Sequence, residues 1–176
     1  MNKIKKIALP ALLLALEIVL SRILSIKAPI LVICFGFLPI MFSAILLGPK
    51  FSFLIPTLAD LIGALLFPFG EYFVGFTIIQ GLTGLVYGIF LYNKEEGKFY
   101  VQKKMFKKLL ISEFLVIGVI ELCLTSSVLH FLYGQAFWII FETRLIAKAI
   151  MFPIQLITVM FLMPYVRKLS QKYFFN

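Results

Sequence analysis

Four cations carry the first chemical signal. Arg22 and Lys27 stand near the end of one long apolar run, and Arg144 and Lys148 near the start of another. Arg144 and Lys148 are four residues apart, so on a helix they share a face. Cations at membrane depth are costly and need a reason. Two pairs from sequence-distant segments could converge on an anionic ligand. The alternative is that these long side chains reach out to lipid headgroups. Asp60 adds a carboxylate within "ADLIGALL". In hydrocarbon such a group must be paired, hydrogen-bonded or protonated. It either meets a ligand or cation, or bonds to a neighbouring helix.

Next comes "FPFGEYFVGFT", Phe67 to Thr77. Pro68 ends a helix and Gly70 gives the chain freedom to turn. Phe67, Phe69, Tyr72, Phe73 and Phe76 crowd this break. They form either an interfacial aromatic belt or a stacking pocket for a flat ring, with Phe69, Tyr72 and Phe76 beside the ligand and Gly75 allowing close approach.

The elements that must hold these residues follow from composition. The 176 residues are 62% hydrophobic and 14% charged, with mean hydropathy +1.05. Soluble domains run at roughly 45–50% apolar and about 25% charged, so this chain belongs in a membrane. Its oily runs are continuous and not alternating, which favours helices over barrel strands. Six spans are expected, at 7–26, 37–48, 51–67, 72–92, 109–132 and 143–165. They make one all-α domain over 1–176, a six-helix bundle in the cell membrane with an outward-facing ligand pocket. The first run follows Lys3, Lys5 and Lys6, but no small-residue cleavage site comes after it, so it reads as a retained span. The hydrophilic linker Asn93–Lys108 reads as a solvated loop.

Of the 17 Lys and Arg residues, all but Arg22, Lys27, Arg144 and Lys148 fall on the side shared by the two termini. The positive-inside rule then puts both termini in the cytoplasm. It also accounts for the net charge of +9 without nucleic acid. A single histidine excludes a multi-histidine metal site, no cofactor is expected, and Cys34 and Cys123 read as packing residues.

Two small-residue patterns remain. Gly81, Gly84 and Gly88 line one face of the fourth span, the arrangement that lets helices pack closely, here within the chain. Ala8, Ala11 and Ala15 make a smooth stripe on the first span, with Glu17 on the opposite face. That stripe either docks another membrane protein or packs internally.

Taken in order, "SRILSIKAP" (21–29), "FGFLPI" (35–40), "GPKFSFLIPTLADLIGALLFPFGEYFVGFT" (48–77), "LTGLVYG" (82–88) and "RLIAKAIMFPIQLI" (144–157) resemble the folate family of energy-coupling factor (ECF) transporter S components along nearly the whole chain. The resemblance implies a six-helix vitamin-binding subunit, its site roofed by the loops after spans one, three and five. It implies partners too: a transmembrane coupling subunit and two cytoplasmic ATPases. In that family the first helix docks the coupling module through small residues, matched here by Ala11 to Ala15. One motif departs from the pattern. Where the family has an "LNTLWLSILYG"-like stretch, this chain has "LTSSVLHFLYG" (124–134). Thr125 takes the Asn position, Val128 the Trp position, and His130 is new. Trp138, expected in the next loop, could compensate.

The leading expectation is therefore a subunit that captures a carboxylate-bearing vitamin, folate first and another anionic vitamin such as pantothenate second. Its substrate-binding residues would be Arg22, Lys27, Phe69, Tyr72, Phe76, Thr125, His130 and Arg144. The absence of GxxxxGK[ST] means that energy must come from a partner. A membrane-embedded enzyme would need a nucleophile–base pair or a metal cluster, and no such signature occurs. A purely structural or channel-forming bundle would have no reason to bear the cost of the four cations.

Overall fold

Apolar runs with few breakers become helices in the computed structural model, which describes residues 3–27, 32–68, 72–92 and 102–174. Helix α1 (Lys3–Ile18) continues into a π-helical turn, Val19–Ile23. Strands β1 (Ile26–Lys27) and β2 (Val32–Ile33) pair antiparallel as a small ribbon. Then come α2 (Phe37–Leu47), α3 (Pro49–Leu66) and α4 (Val74–Leu91). Helix α5 (Gln102–Leu115), a π-helical stretch (Val116–Leu124) and α6 (Thr125–Tyr133) run without a break. Helix α7 spans Phe137–Phe174. Counted as continuous runs, these are six helical segments among the described residues.

Pro49–Leu66, Val74–Leu91, Phe106–Tyr133 and Phe137–Val166 are each long and apolar enough to cross a bilayer, and Phe37–Leu47 is a shorter apolar helix. Large apolar side chains such as Leu65, Phe131 and Phe161 stand exposed on the outside, as lipid-facing residues do. The buried core joins α2, α4, α5 with its π stretch, and α7, through Met41, Ala44, Tyr87, Leu109, Ile120 and Val159.

The glycines of α4 set its distance from α3. A Cβ on Gly84 would fall 1.6 Å from the Ser52 carbonyl oxygen, one on Gly88 2.5 Å from Pro49 Cα, and one on Gly81 2.5 Å from Thr57 Oγ1. The pattern serves packing within the chain, as the spacing suggests.

The boundaries differ from expectation in three places. The first span stops at Ile23 and hands Ile26 and Lys27 to the ribbon. The fifth begins at Gln102, inside the linker expected to be a loop, because Gln102–Lys108 consists, apart from Phe106, of good helix formers and holds no Gly or Pro to stop a helix. The sixth begins at Phe137: Gly134, left-handed at φ 65°, ends α6, and a three-residue turn suffices. Trp138 therefore lies in the first turn of α7, not in a loop. The up-and-down order brings the ribbon, the α3–α4 connection and the α6–α7 turn to one end of the bundle, here termed the ribbon end.

Candidate functional site

Arg22 sits in the π turn that closes α1, and Asp60 sits on α3. The Arg22 Nη2 donates to Asp60 Oδ1 at 2.6 Å and to the Asp60 carbonyl at 3.1 Å. Thr77 Oγ1, on α4, donates to Asp60 Oδ2 at 2.7 Å. Its one proton is thereby committed, so the Tyr72 hydroxyl, 2.9 Å away, donates to Thr77. The result is a relay from Tyr72 through Thr77 to Asp60, closed by Arg22. Gly63 makes room for it, since a Cβ there would lie 2.7 Å from Arg22 Nε. Asp60 thus takes the helix-bridging option.

A second cluster joins the π stretch to α7. Glu121 is ion-paired with Lys148 and lies 3.5 Å from Arg144 Nη2, which also donates to the Glu121 carbonyl at 3.2 Å. Arg144 and Lys148 are both buried.

Between the helices is a cavity of about 70 Å³. Glu17 and Ser21 from α1, Gln80, Thr83 and Tyr87 from α4, Glu121 from the π stretch, and Lys148 and Gln155 from α7 supply its polar lining. Cys34 and Gly36, beside the ribbon, also line it, and burial pushes the Cys34 thiol up from its ordinary range. Tyr87 is fixed by a 2.9 Å hydrogen bond from its hydroxyl to Glu113. Glu17 Oε2 and Thr83 Oγ1 are buried and have no hydrogen-bond partner among the described residues. No group of three or more metal-ligating side chains occurs among the described residues.

The residues expected from sequence are only partly brought together. Arg22 and Arg144 each bind an internal carboxylate next to the cavity and do not line it. Tyr72 belongs to the Asp60 relay, and Phe76 packs edge-on against Phe73, which also meets Phe131. Lys27 lies in β1, while Phe69 lies outside the described residues. Thr125 is buried and donates to the Ile120 carbonyl of its own helical run. His130 is exposed and bonds the Gln135 carbonyl across the α6–α7 turn. Ala8, Ala11 and Ala15 are exposed, and Glu17 on the other face is buried. Sequence reading passed over Gln80, Thr83, Tyr87, Glu121 and Gln155 as lining residues. The available signal was their polarity inside apolar spans, which marks candidate function by default.

A multi-pass helical bundle with a charge-bearing cavity between its helices defines a membrane protein built to hold a small solute. The model of a family described as "ECF-type riboflavin transporter, S component" matches residues 1–168. The chain belongs to this family of ECF transporter S components, which are transport subunits and not enzymes. Two similar proteins are named folate transporter FolT. The one from Clostridium novyi is 35% identical over 90% of this chain and 88% of its own length. The one from Leuconostoc mesenteroides is 30% identical over 86% and 80%. A crystal structure of FolT bound with folic acid matches with a TM-score of 0.80 at 34% identity, covering 90% of this chain and 92% of that one.

Proposed function

We propose that the chain captures folate and delivers it to an importer made with a transmembrane coupling subunit and two cytoplasmic ATPases. The observation that carries this reading is the fold-wide likeness to FolT bound with folic acid. The site chemistry supports it over riboflavin, the vitamin in the family description. Riboflavin carries no carboxylate, whereas folate carries two, and Lys148 brings a cation to the cavity wall. Pantothenate is also an anion, but the named relatives favour folate.

In this reading the ribbon end faces outward and both termini face the cytoplasm, in line with the distribution of Lys and Arg. The ligand's carboxylates draw on Arg22 and Arg144, trading internal carboxylate partners for ligand ones. Tyr72, Phe76, Thr125 and His130 belong to the walls and roof at that end, and Lys27 and Phe69 are proposed as further ligand contacts from the sequence. Ligand pockets hold roughly 300–1,000 Å³, so the cavity of about 70 Å³ must widen when the vitamin enters.

The test is thermal unfolding of the detergent-purified protein with folic acid, riboflavin or pantothenate. Folic acid at 100 times its dissociation constant should stabilise the fold by about 2.7 kcal/mol, with no shift from the other two. Stabilisation by riboflavin or pantothenate and not by folic acid overturns the assignment.

A further inference from the structure

Glu17 is an acid in the last turn of the oily helix α1, buried to 4% exposure. It lines the cavity together with Gln80, Thr83 and Gln155. One of its carboxylate oxygens has no partner among the described residues, and neither does the Thr83 hydroxyl. An unmatched buried acceptor is expensive. Of the other carboxylates near the site, Asp60 is held by Arg22 and Thr77 and Glu121 by Lys148 and Arg144, while Glu113 stands behind Tyr87 and does not line the cavity. Glu17 is thus the acid of the cavity wall left to receive donors from whatever enters.

We propose that Glu17 reads the ring of the ligand by accepting from two adjacent N–H donors, and so sets which vitamin the site takes. This rests on the folate reading above and deepens it. A carboxylate accepts two parallel hydrogen bonds from an edge with two neighbouring donors. The 2-amino-4-oxo pteridine of folate has such an edge, its ring N3–H beside the exocyclic amino group. The flavin ring system of riboflavin presents the reverse arrangement, an N–H flanked by two carbonyls. A carboxylate placed against that edge gains one hydrogen bond and meets two oxygens. Pantothenate has no ring edge at all. One residue therefore separates the pteridine from the two competing vitamins. The ring lies deep at Glu17, and the carboxylate tail points to the cations of the ribbon end.

The experiment measures dissociation constants on the detergent-purified full chain for folic acid and for its analogue with hydrogen in place of the 2-amino group. Both are measured on the parent and on Glu17→Gln, whose amide offers a donor where the carboxylate offered an acceptor. The parent should prefer folic acid by about ten- to a hundredfold, the worth of a hydrogen bond to a charged group. Glu17→Gln should lose a similar factor for folic acid and hardly distinguish the two compounds. Equal binding of both compounds by the parent overturns the inference, whether or not Glu17→Gln folds. So does parent-like affinity for folic acid in a Glu17→Gln protein that elutes as a single species. In either case the folate reading stands. A parent that binds no folic acid overturns that reading, and this inference with it.

Discussion

At the scale of single residues, the bundle pairs its deep cations with its own acids. Arg22 and Asp60 retain 15% and 14% side-chain exposure, so neither is fully hydrated, and each needs the other. Arg22→Ala leaves Asp60 with only the Thr77 donor. Breaking a fully buried pair costs about 3–5 kcal/mol, and partial exposure brings the expectation here to about 2–3 kcal/mol. Arg22→Ala combined with Asp60→Ala removes the stranded charge and should recover most of that stability. If Arg22 also receives a ligand carboxylate, the double variant should still bind folic acid about tenfold more weakly than the parent, one charge-assisted hydrogen bond. Thermal melting and a binding isotherm on the same preparation check both halves, and parent-like affinity would reduce Arg22 to a structural role. The sequence made the cations legible because they break the positive-inside pattern. It left their partners open: Asp60 stands on a different helix from Arg22, and Glu121 stands far from Lys148 in the chain. Glu17 was visible only as the back of an alanine stripe, since nothing in one sequence shows which polar residues in separate spans converge.

At the scale of elements, both charged clusters sit on π-helical backbone. Arg22 lies in Val19–Ile23 and Glu121 in Val116–Leu124. Hydrogen bonds from i to i+5 widen the turn and re-aim its side chains, a device common at functional sites. Composition does not mark an i+5 pattern, so these segments read from sequence as ordinary span. All six spans had their cores located by the length of the apolar run, and the errors fell at the ends, where a helix leaves the bilayer without a breaker to stop it. The α3–α4 contact was legible further down, because glycines at 81, 84 and 88 repeat along one face. Its tightest point makes a prediction. A Cβ at Gly84 would meet the backbone of Ser52 at 1.6 Å, and backbone cannot rotate away as a side chain can. Gly84→Ala should force the two helices apart and cost about 3 kcal/mol, the upper end of ordinary overpacking. Gly118→Ala is the control, since nothing lies within 4 Å of its added Cβ, and its melting temperature should equal or exceed the parent's, because Ala is the better helix former. Equal melting of the two variants would mean that α3 and α4 do not depend on this close approach.

At the scale of the whole molecule, the first helix separates two tasks onto two faces. Glu17 and Ser21 face the cavity, while Ala8, Ala11 and Ala15 are exposed on the other side. Capture and delivery can therefore be separated by substitution. Small side chains let a partner helix come close enough for backbone-to-backbone packing, which is what drives association in lipid, where no hydrophobic force acts between helices. In the proposed importer the partner is the coupling subunit. Ala11→Trp would hold that helix away and leave the cavity untouched. The exposure of Ala11 matters here: a residue packed inside the bundle would take the cavity down with it when enlarged, whereas an exposed one has room for the indole against lipid. The expected result is a protein that binds folic acid with the parent's affinity, yet neither co-purifies with the coupling subunit and ATPases nor supports folate uptake in cells. Loss of binding along with uptake would place Ala11 inside the fold. Full uptake by Ala11→Trp would mean that the coupling subunit meets this chain somewhere other than the alanine face of α1.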